Sequence, residues 1–174
     1  LNWFKFAWAL RGLKNSSLQK PDVILYSSPS PIGSLAAQYL AKSFKVPFIF
    51  EVRDIWPLTL IELGGHSANH PFIRLMQWIE DRSYQKAKFV FSNLFNAVEH
   101  MQNRGLDKAK FYWIPNGVSL AEVSAKEALS VDVLKQLPQD KFIVGYTGTI
   151  GVANAIDDLI EAAQLVSHHP DIHF

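Results

Sequence analysis

The feature that most restricts the fold is a phrase the chain repeats: a short unbroken apolar run, a polar turn, then a segment with apolar residues at helical spacing. The runs are "DVILYSS" (22–28), "PFIFEV" (47–52), "KFVFSN" (88–93) and "KFYWIPNGV" (110–118). Between them lie "IGSLAAQYLAKSF" (32–44), "HPFIRLMQWIEDRSYQKA" (70–87) and "NAVEHMQNRG" (96–105). A strand with one solvated face alternates apolar and polar residues, so unbroken runs predict burial on both faces, and helical crossovers predict parallel pairing. The expected fold is therefore α/β, a Rossmann-like parallel sheet covered on both faces. Ser30 and Pro31 are placed as cap and first-turn residue of the first crossover helix, which carries Leu35, Tyr39 and Leu40. Phe72, Leu75, Met76 and Ile79 form the stripe of the next, and Gly105 stops the third.

Residues 119–140, "SLAEVSAKEALSVDVLKQLPQD", lose the aromatic density of what precedes them and read as a linker with a weak helix. Beyond it, "KFIVGYTGTIGVANAIDDLIEAAQLV" (141–166) is strand, glycine loop and helix, the first unit of a second Rossmann-like sheet. The predicted division is 1–118, 119–140 and 141–174. Residue 1 is Leu, and "PDIHF" at 170–174 repeats the Pro-Asp start of "PDVILY". The expectation is a fragment cut at both ends.

Basic and acidic residues nearly balance, 17 against 16, which leaves no general attraction for nucleic acid and sets aside DNA or RNA as a partner. There is no cysteine, hence neither a disulfide framework nor a thiolate metal site, a composition that suits the cytosol. The six histidines form no His-Glu-x-x-His or similar ligand set, so no metal site is expected. No stretch reaches the roughly 18 apolar residues of a membrane span. The opening "LNWFKFAWALRGLK" reads as a helix that mixes Trp3, Phe4, Phe6 and Trp8 with Lys5, Arg11 and Lys14, a composition that can lie in a membrane interface. Its apolar residues wrap around too much of the helix for a clean interfacial face, and its aromatics are expected to pack on sheet from outside these residues.

Ligands of open parallel sheets bind beyond the carboxyl ends of the strands. That rule selects the Ser27 to Pro31 loop, Arg53-Asp54, Ser92-Asn93, Asn116-Gly117 and Gly148 to Gly151 as candidates, all expected on one rim. In "FEVRDIWP" (50–57), opposite charges follow directly on a buried strand. The bland reading pairs Glu51 with Arg53 and lets Asp54 cap the turn before Pro57. The functional reading gives a polar ligand a fixed hydrogen-bonding pair beside Trp56. In "GYTGTIG" (145–151), glycines at every third position end a strand and open a helix, where bare amides can hold a phosphate, though as a bare pattern it reads equally as a tight turn. It is neither Gly-x-Gly-x-x-Gly nor a Gly-Lys-Ser/Thr phosphate loop, which sets aside a nicotinamide dehydrogenase and a P-loop enzyme. "IPNGV" (114–118) is turn chemistry first.

Taken in order and spacing, "PDVILYSSPSPIGSLAAQYLAKSFKVPFIFEVRDIWP", "HPFIRLMQWIEDRSYQKAKFVFSN", "IPNGV" and "GYTGTIGVANAIDDLIEAA" resemble family 4 (group 1) retaining glycosyltransferases, nearest to a fucosamine-transferase-like branch of bacterial surface polysaccharide assembly. The resemblance implies a GT-B architecture: two Rossmann-like domains across a cleft, the acceptor on the N-terminal one and a nucleotide-diphosphate-sugar donor on the C-terminal one. It implies hexosyl transfer to a lipid-linked or saccharide acceptor without a further cofactor, in the cytoplasm at the inner face of the plasma membrane, with peripheral membrane contact. On it, Arg53 and Asp54 line the cleft where many relatives carry a His-Asp pair. Gly148, Thr149, Ile150 and Gly151 approach the donor diphosphate through backbone amides, and Asn116 lies near the crossover between domains. Ser119, Asn93 and Val152 depart from the family's usual Asp, Glu and basic residue. The family's Glu-seven-residues-Glu motif would fall past Phe174, so this piece alone is expected to be inactive. A nucleotide-sugar epimerase of the same architecture, or a non-catalytic nucleotide-sugar binder, stands as the alternative.

Overall fold

A computed structural model describes residues 2–15, 19–28, 30–125 and 127–174. The chain divides into two compact units, Leu1–Gly117 and Val118–Phe174. In the first, α1 (Asn2–Arg11) runs into a 3₁₀ turn (Gly12–Asn15), then come β1 (Ile24–Ser27), α2 (Pro31–Phe44), β2 (Phe48–Val52), α3 (Leu58–Glu62), α4 (Pro71–Lys86), β3 (Phe89–Ser92), α5 (Ala97–Asn103) and β4 (Phe111–Trp113). The strands form one parallel sheet in the order β1-β2-β3-β4. Strand order that follows chain order, with crossovers of one hand, sends every crossover helix to the same face. Accordingly α2, α4 and α5 all contribute to one core: Ala37 and Ala41, Tyr84, and Ala97 and Met101 close over Phe48, Phe50, Val52 and Val90.

The expected cover on both faces is not what these residues build. The opposite face carries Ile49, Glu51, Phe89 and Phe91, all partly exposed, with Leu25 and Tyr112 about half exposed. Phe89 and Phe91 each meet the Tyr112 ring edge-on, at 5.5 and 6.0 Å. The physical reason is topological: without a reversal of strand order no crossover reaches that side.

Local chemistry explains the helix ends. Pro31 and Pro71 occupy first-turn positions where a missing N–H costs nothing. Ser30 sits at the cap of α2, as expected, but its hydroxyl makes no capping bond. His70 caps α4 instead, its Nδ1 accepting from the Phe72 N–H at 3.2 Å. Gly33 is required on α2: a Cβ there would come within 2.7 Å of the Tyr26 ring, whose hydroxyl donates to the Ser30 carbonyl at 2.6 Å. The stripe of α4 is set one residue over from the expectation, Ile73, Met76, Ile79, Glu80, Ser83 and Tyr84 being buried while Leu75 turns outward. Two serines lie in that contact because Ser34 and Ser83 share a hydrogen bond of 2.8 Å where α2 crosses α4.

Helix α1 packs on α2, not on the sheet. Trp3 meets Trp56 edge-on at 5.9 Å, while Phe4, Phe6 and Trp8 stay exposed. Among the described residues no helix is long and apolar enough to cross a membrane.

The second unit opens with α6 (Leu120–Ser124) and α7 (Val131–Leu134), capped by the Ser119 and Ser130 hydroxyls. These are the only helices in the stretch read as a linker, among its described residues. Then β5 (Phe142–Ile143), a 3₁₀ turn (Val152–Asn154), α8 (Ile156–Leu165) and β6 (Ile172–His173) form a parallel β-α-β unit.

Candidate functional site

Each strand of the first sheet ends at the same rim, and buried serine hydroxyls tie neighbouring ends together. Ser28, 2% exposed after β1, accepts the Arg53 N–H at 3.0 Å, and its own N–H donates to the Glu51 carbonyl at 2.9 Å. Ser92, at the end of β3, donates its hydroxyl to the Val52 carbonyl at 2.8 Å and accepts the Leu94 N–H at 3.1 Å. Its carbonyl takes the Ile114 N–H at 2.8 Å. The backbone on both sides of the Val52–Arg53 bond is therefore held from the two adjacent strands. Buried hydrogen bonds from both neighbouring strands give a rigid mount.

On that mount the side chains of Arg53 and Asp54 are exposed. Neither belongs to an ion pair among the described residues, so the Glu51 pairing considered from sequence does not form, and Asp54 makes no capping bond. Asp54 instead borders a cleft of about 250 Å³ walled by Ile55, Leu58, Leu63 and Leu94. Trp56 lies beside it, joined to Pro57 by a cis peptide bond, with its indole N–H buried and unpartnered. The Pro57 carbonyl accepts from the N–H groups of Leu60 and Ile61, at 2.9 and 3.2 Å, which starts α3 directly after the charged pair.

Asn116 is exposed just past β4. It shares the carboxyl rim with Arg53 and Asp54, since all the strands run parallel and each of these residues follows its own strand end. Trp113 donates its indole N–H to the Asn93 carbonyl at 3.2 Å and stacks edge-on with Phe95 at 5.1 Å, so the rim carries an aromatic pair. Pro29, in the Ser27 to Pro31 loop, lies outside the described residues.

Gly148, Thr149, Ile150 and Gly151 belong to the second unit. They do not open a helix as the sequence suggests: a 3₁₀ turn and Ala155, in the left-handed region at φ 49°, intervene before α8. The loop folds around the Thr149 carbonyl, which accepts from the Tyr146 hydroxyl at 2.9 Å and the Asn154 amide at 2.7 Å. Gly148 permits this approach, because a Cβ there would meet the Tyr146 hydroxyl at 2.5 Å. Among the described residues no group of three His, Cys, Asp or Glu could hold a metal ion.

The sequence profile of the glycosyl transferase 4-like domain matches residues 1–117, the unit that carries this rim. The chain belongs to the glycosyl transferase 4-like family. Its fold is similar to that of Anabaena Alr3699/HepE: against the complex with UDP, the TM-score is 0.50 at 13% identity, over 97% of this chain and 50% of that one. Against the complex with UDP and glucose it is 0.47, with the same identity and coverage. The chain thus spans half the length of the structures it matches. No curated protein matches the sequence. The parallel sheet is that of a GT-B glycosyltransferase fold. The serine ties are what sequence reasoning missed in this family member: Ser28 and Ser92 lay within the selected loops, but their bonds depend on which strands are neighbours.

Proposed function

We propose that the protein transfers a hexosyl unit from a nucleotide-diphosphate sugar to a lipid-linked or saccharide acceptor, with retention of configuration, in bacterial surface polysaccharide assembly. The first unit takes the acceptor side and the second the donor side. The observation that carries this reading is a mixed-charge pair, Arg53 and Asp54, without an ion pair among the described residues, on a rim tied by Ser28 and Ser92 within the matched glycosyl transferase 4-like residues. In the named neighbour the bound molecules are UDP and glucose or UDP-glucose, the donor class proposed for this chain.

In this mechanism Arg53 and Asp54 orient the transferring sugar and the acceptor hydroxyl. A pair fixed before substrate arrives lowers the barrier through orientation, and donors aimed at the departing diphosphate stabilise charge as it develops. The exposed amides of Gly148 to Gly151 supply those donors, with Asn116 near the crossover. On the fucosamine-transferase-like reading the sugar is an amino-deoxyhexose. The exposed Phe4, Phe6 and Trp8 beside Lys5, Arg11 and Lys14 supply peripheral contact with the membrane that holds the acceptor.

The test uses the full-length protein with a donor and acceptor, product anomers being read by NMR. Arg53→Ala and Asp54→Ala are each expected to lower kcat by about 100-fold, the scale of losing one preorganised electrostatic group. Wild-type turnover in both variants removes these residues from the site. Conversion of the donor sugar without acceptor replaces transfer by epimerisation. For the membrane contact, Trp8→Ala with Lys5→Gln should reduce recovery with native lipids at low salt; a wild-type protein found solely in the soluble fraction refutes it.

A further inference from the structure

The sheet has a second pole, where its strands begin and the crossover helices end. There Val46 and Phe48 floor a pocket of about 470 Å³, ringed by Lys42, Arg82, Lys86 and Lys88. Among the described residues no acidic side chain lines it. Nor does any of the four cations enter an ion pair among the described residues. The acids nearest along α4 are committed elsewhere: Asp81 bonds Arg104, and Glu80 is buried against Tyr84.

The ordinary explanation for lysines at this pole is the helix dipole, since Lys42 and Lys86 stand in the last turns of α2 and α4. The magnitudes do not close on it. Two helix ends present together about one negative charge, against four positive side chains. Those ends are also already satisfied. The Ala41 and Lys42 carbonyls accept from the Lys45 N–H, Ala41 accepts again from Val46 at 3.0 Å, and Ser83 accepts from Ala87 at 2.9 Å. Lys88 belongs to no helix, and Arg82 lies a full turn before the end of α4. The surplus is about three positive charges around one concave, apolar-floored site.

We propose that this pocket binds a phosphate-bearing small molecule, held by Lys42, Arg82, Lys86 and Lys88 at the pole opposite Arg53 and Asp54. Phosphate matches the set because several donors converge on one compact anion, Arg82 with a planar fork and the lysines as point charges. An apolar floor of Val46 and Phe48 suits the body of an organic phosphate better than bulk water. The phosphate can come from solution or from an anionic lipid head group, which share this chemistry. A ligand here occupies a different end of the sheet from the transfer site and would not compete with donor or acceptor.

Full-length protein is titrated with inorganic pyrophosphate by calorimetry, and hydrogen exchange locates the effect. Slower exchange in residues 41–48 and 82–88 is expected, with no such change under sodium chloride at matched ionic strength. Lys42→Gln with Lys86→Gln is expected to weaken pyrophosphate binding about tenfold, the product of two losses of about threefold each, while Lys86→Arg keeps it. Both lysines are exposed, so the double variant folds; an unchanged melting curve verifies it. A parallel arm replaces pyrophosphate with phosphatidylglycerol vesicles, and binding confined to that arm but still lost in the double variant assigns the phosphate to a lipid. Protection confined to 148–151, an equal response to chloride, or undiminished affinity in the double variant overturns the proposal.

Discussion

Glu80 sits in the buried stripe of α4, 2% exposed, accepting the Tyr84 hydroxyl at 2.8 Å and the Gln77 amide at 2.9 Å. Burial disfavours its charged form and, with Asp81 adding repulsion, outweighs the two hydrogen bonds and Arg104, so its pKa rises from 4.5 to about 7. Between those values the fold holds a proton that the unfolded chain has released, so stability falls as pH rises through the window. Full ionisation costs about 3 kcal/mol at about 1.4 kcal/mol per pH unit. Glu80→Gln removes that cost and keeps the Tyr84 bond, but sets an amide nitrogen against the Gln77 donor, a loss of about 1 kcal/mol. The net expectation is a gain of about 2 kcal/mol at pH 8, or about 4–8 °C in Tm. Near pH 5 the two effects roughly cancel and at pH 4.5 the sign reverses, because protonated Glu80 still accepts from Gln77 through its hydroxyl oxygen and the variant does not. Thermal unfolding by circular dichroism from pH 4.5 to 8 checks it. Arg104→Gln in the wild-type background should extend the decline above pH 7, since Arg104 favours the carboxylate. Parallel stability curves for wild type and Glu80→Gln, or a variant less stable at pH 8, refute the reasoning.

Ser92→Ala strips the Val52 carbonyl and the Leu94 N–H of a buried partner, and should cost about 1–3 kcal/mol in urea unfolding. It should also speed amide exchange at Arg53, which separates a loosened mount from a merely weaker fold. Gly33→Ala drives a methyl group into the Tyr26 ring and should cost about 1–3 kcal/mol, read by the same unfolding curves. Gly148→Ala displaces Tyr146 from the Thr149 carbonyl and should alter the local fluorescence of Tyr146 and lower donor affinity while leaving the melting of the first unit unchanged.

Strand and helix order was legible because apolar periodicity reports burial directly, and the rim of the first sheet followed because its parallel strands all point one way; Gly148 to Gly151, expected on that same rim, belong to the other unit and its own sheet. Burial on both faces was not, although Glu51 carried the signal. In "FIFEV", Phe48, Phe50 and Val52 enter the core while Ile49 and Glu51 face away, so one charged residue in an apolar run marks the open side. The stripe of α4 misled for a related reason. Glu80, Ser83 and Tyr84 are polar by composition, yet they are buried because Tyr84 satisfies Glu80 and Ser34 meets Ser83, partners that exist only once α2 and α4 cross. The glycine loop was found by spacing, but its conformation is set by Tyr146 and Asn154 reaching the Thr149 carbonyl.

A parallel sheet with its crossover helices on one face also imposes an electrical direction. Helices α2 and α4 run antiparallel to the strands, so their amino ends, each worth about half a positive charge, point to the rim that carries Arg53 and Asp54. Their carboxyl ends point to the opposite pole. A fold left to its dipoles would therefore collect anions at the first rim and repel them from the second. The first rim agrees, with Asp54 exposed and tolerated there. The second overshoots its dipole: Lys42 and Lys86 already outweigh about one negative charge, and Arg82 and Lys88 are added to them. Arg82 lies over the Trp78 ring at 5.7 Å and Lys88 over the Phe89 ring at 5.5 Å, contacts that seat both side chains but leave their charge uncancelled, and it is this excess of charge over the two dipoles that separates the proposed ligand surface from helix capping.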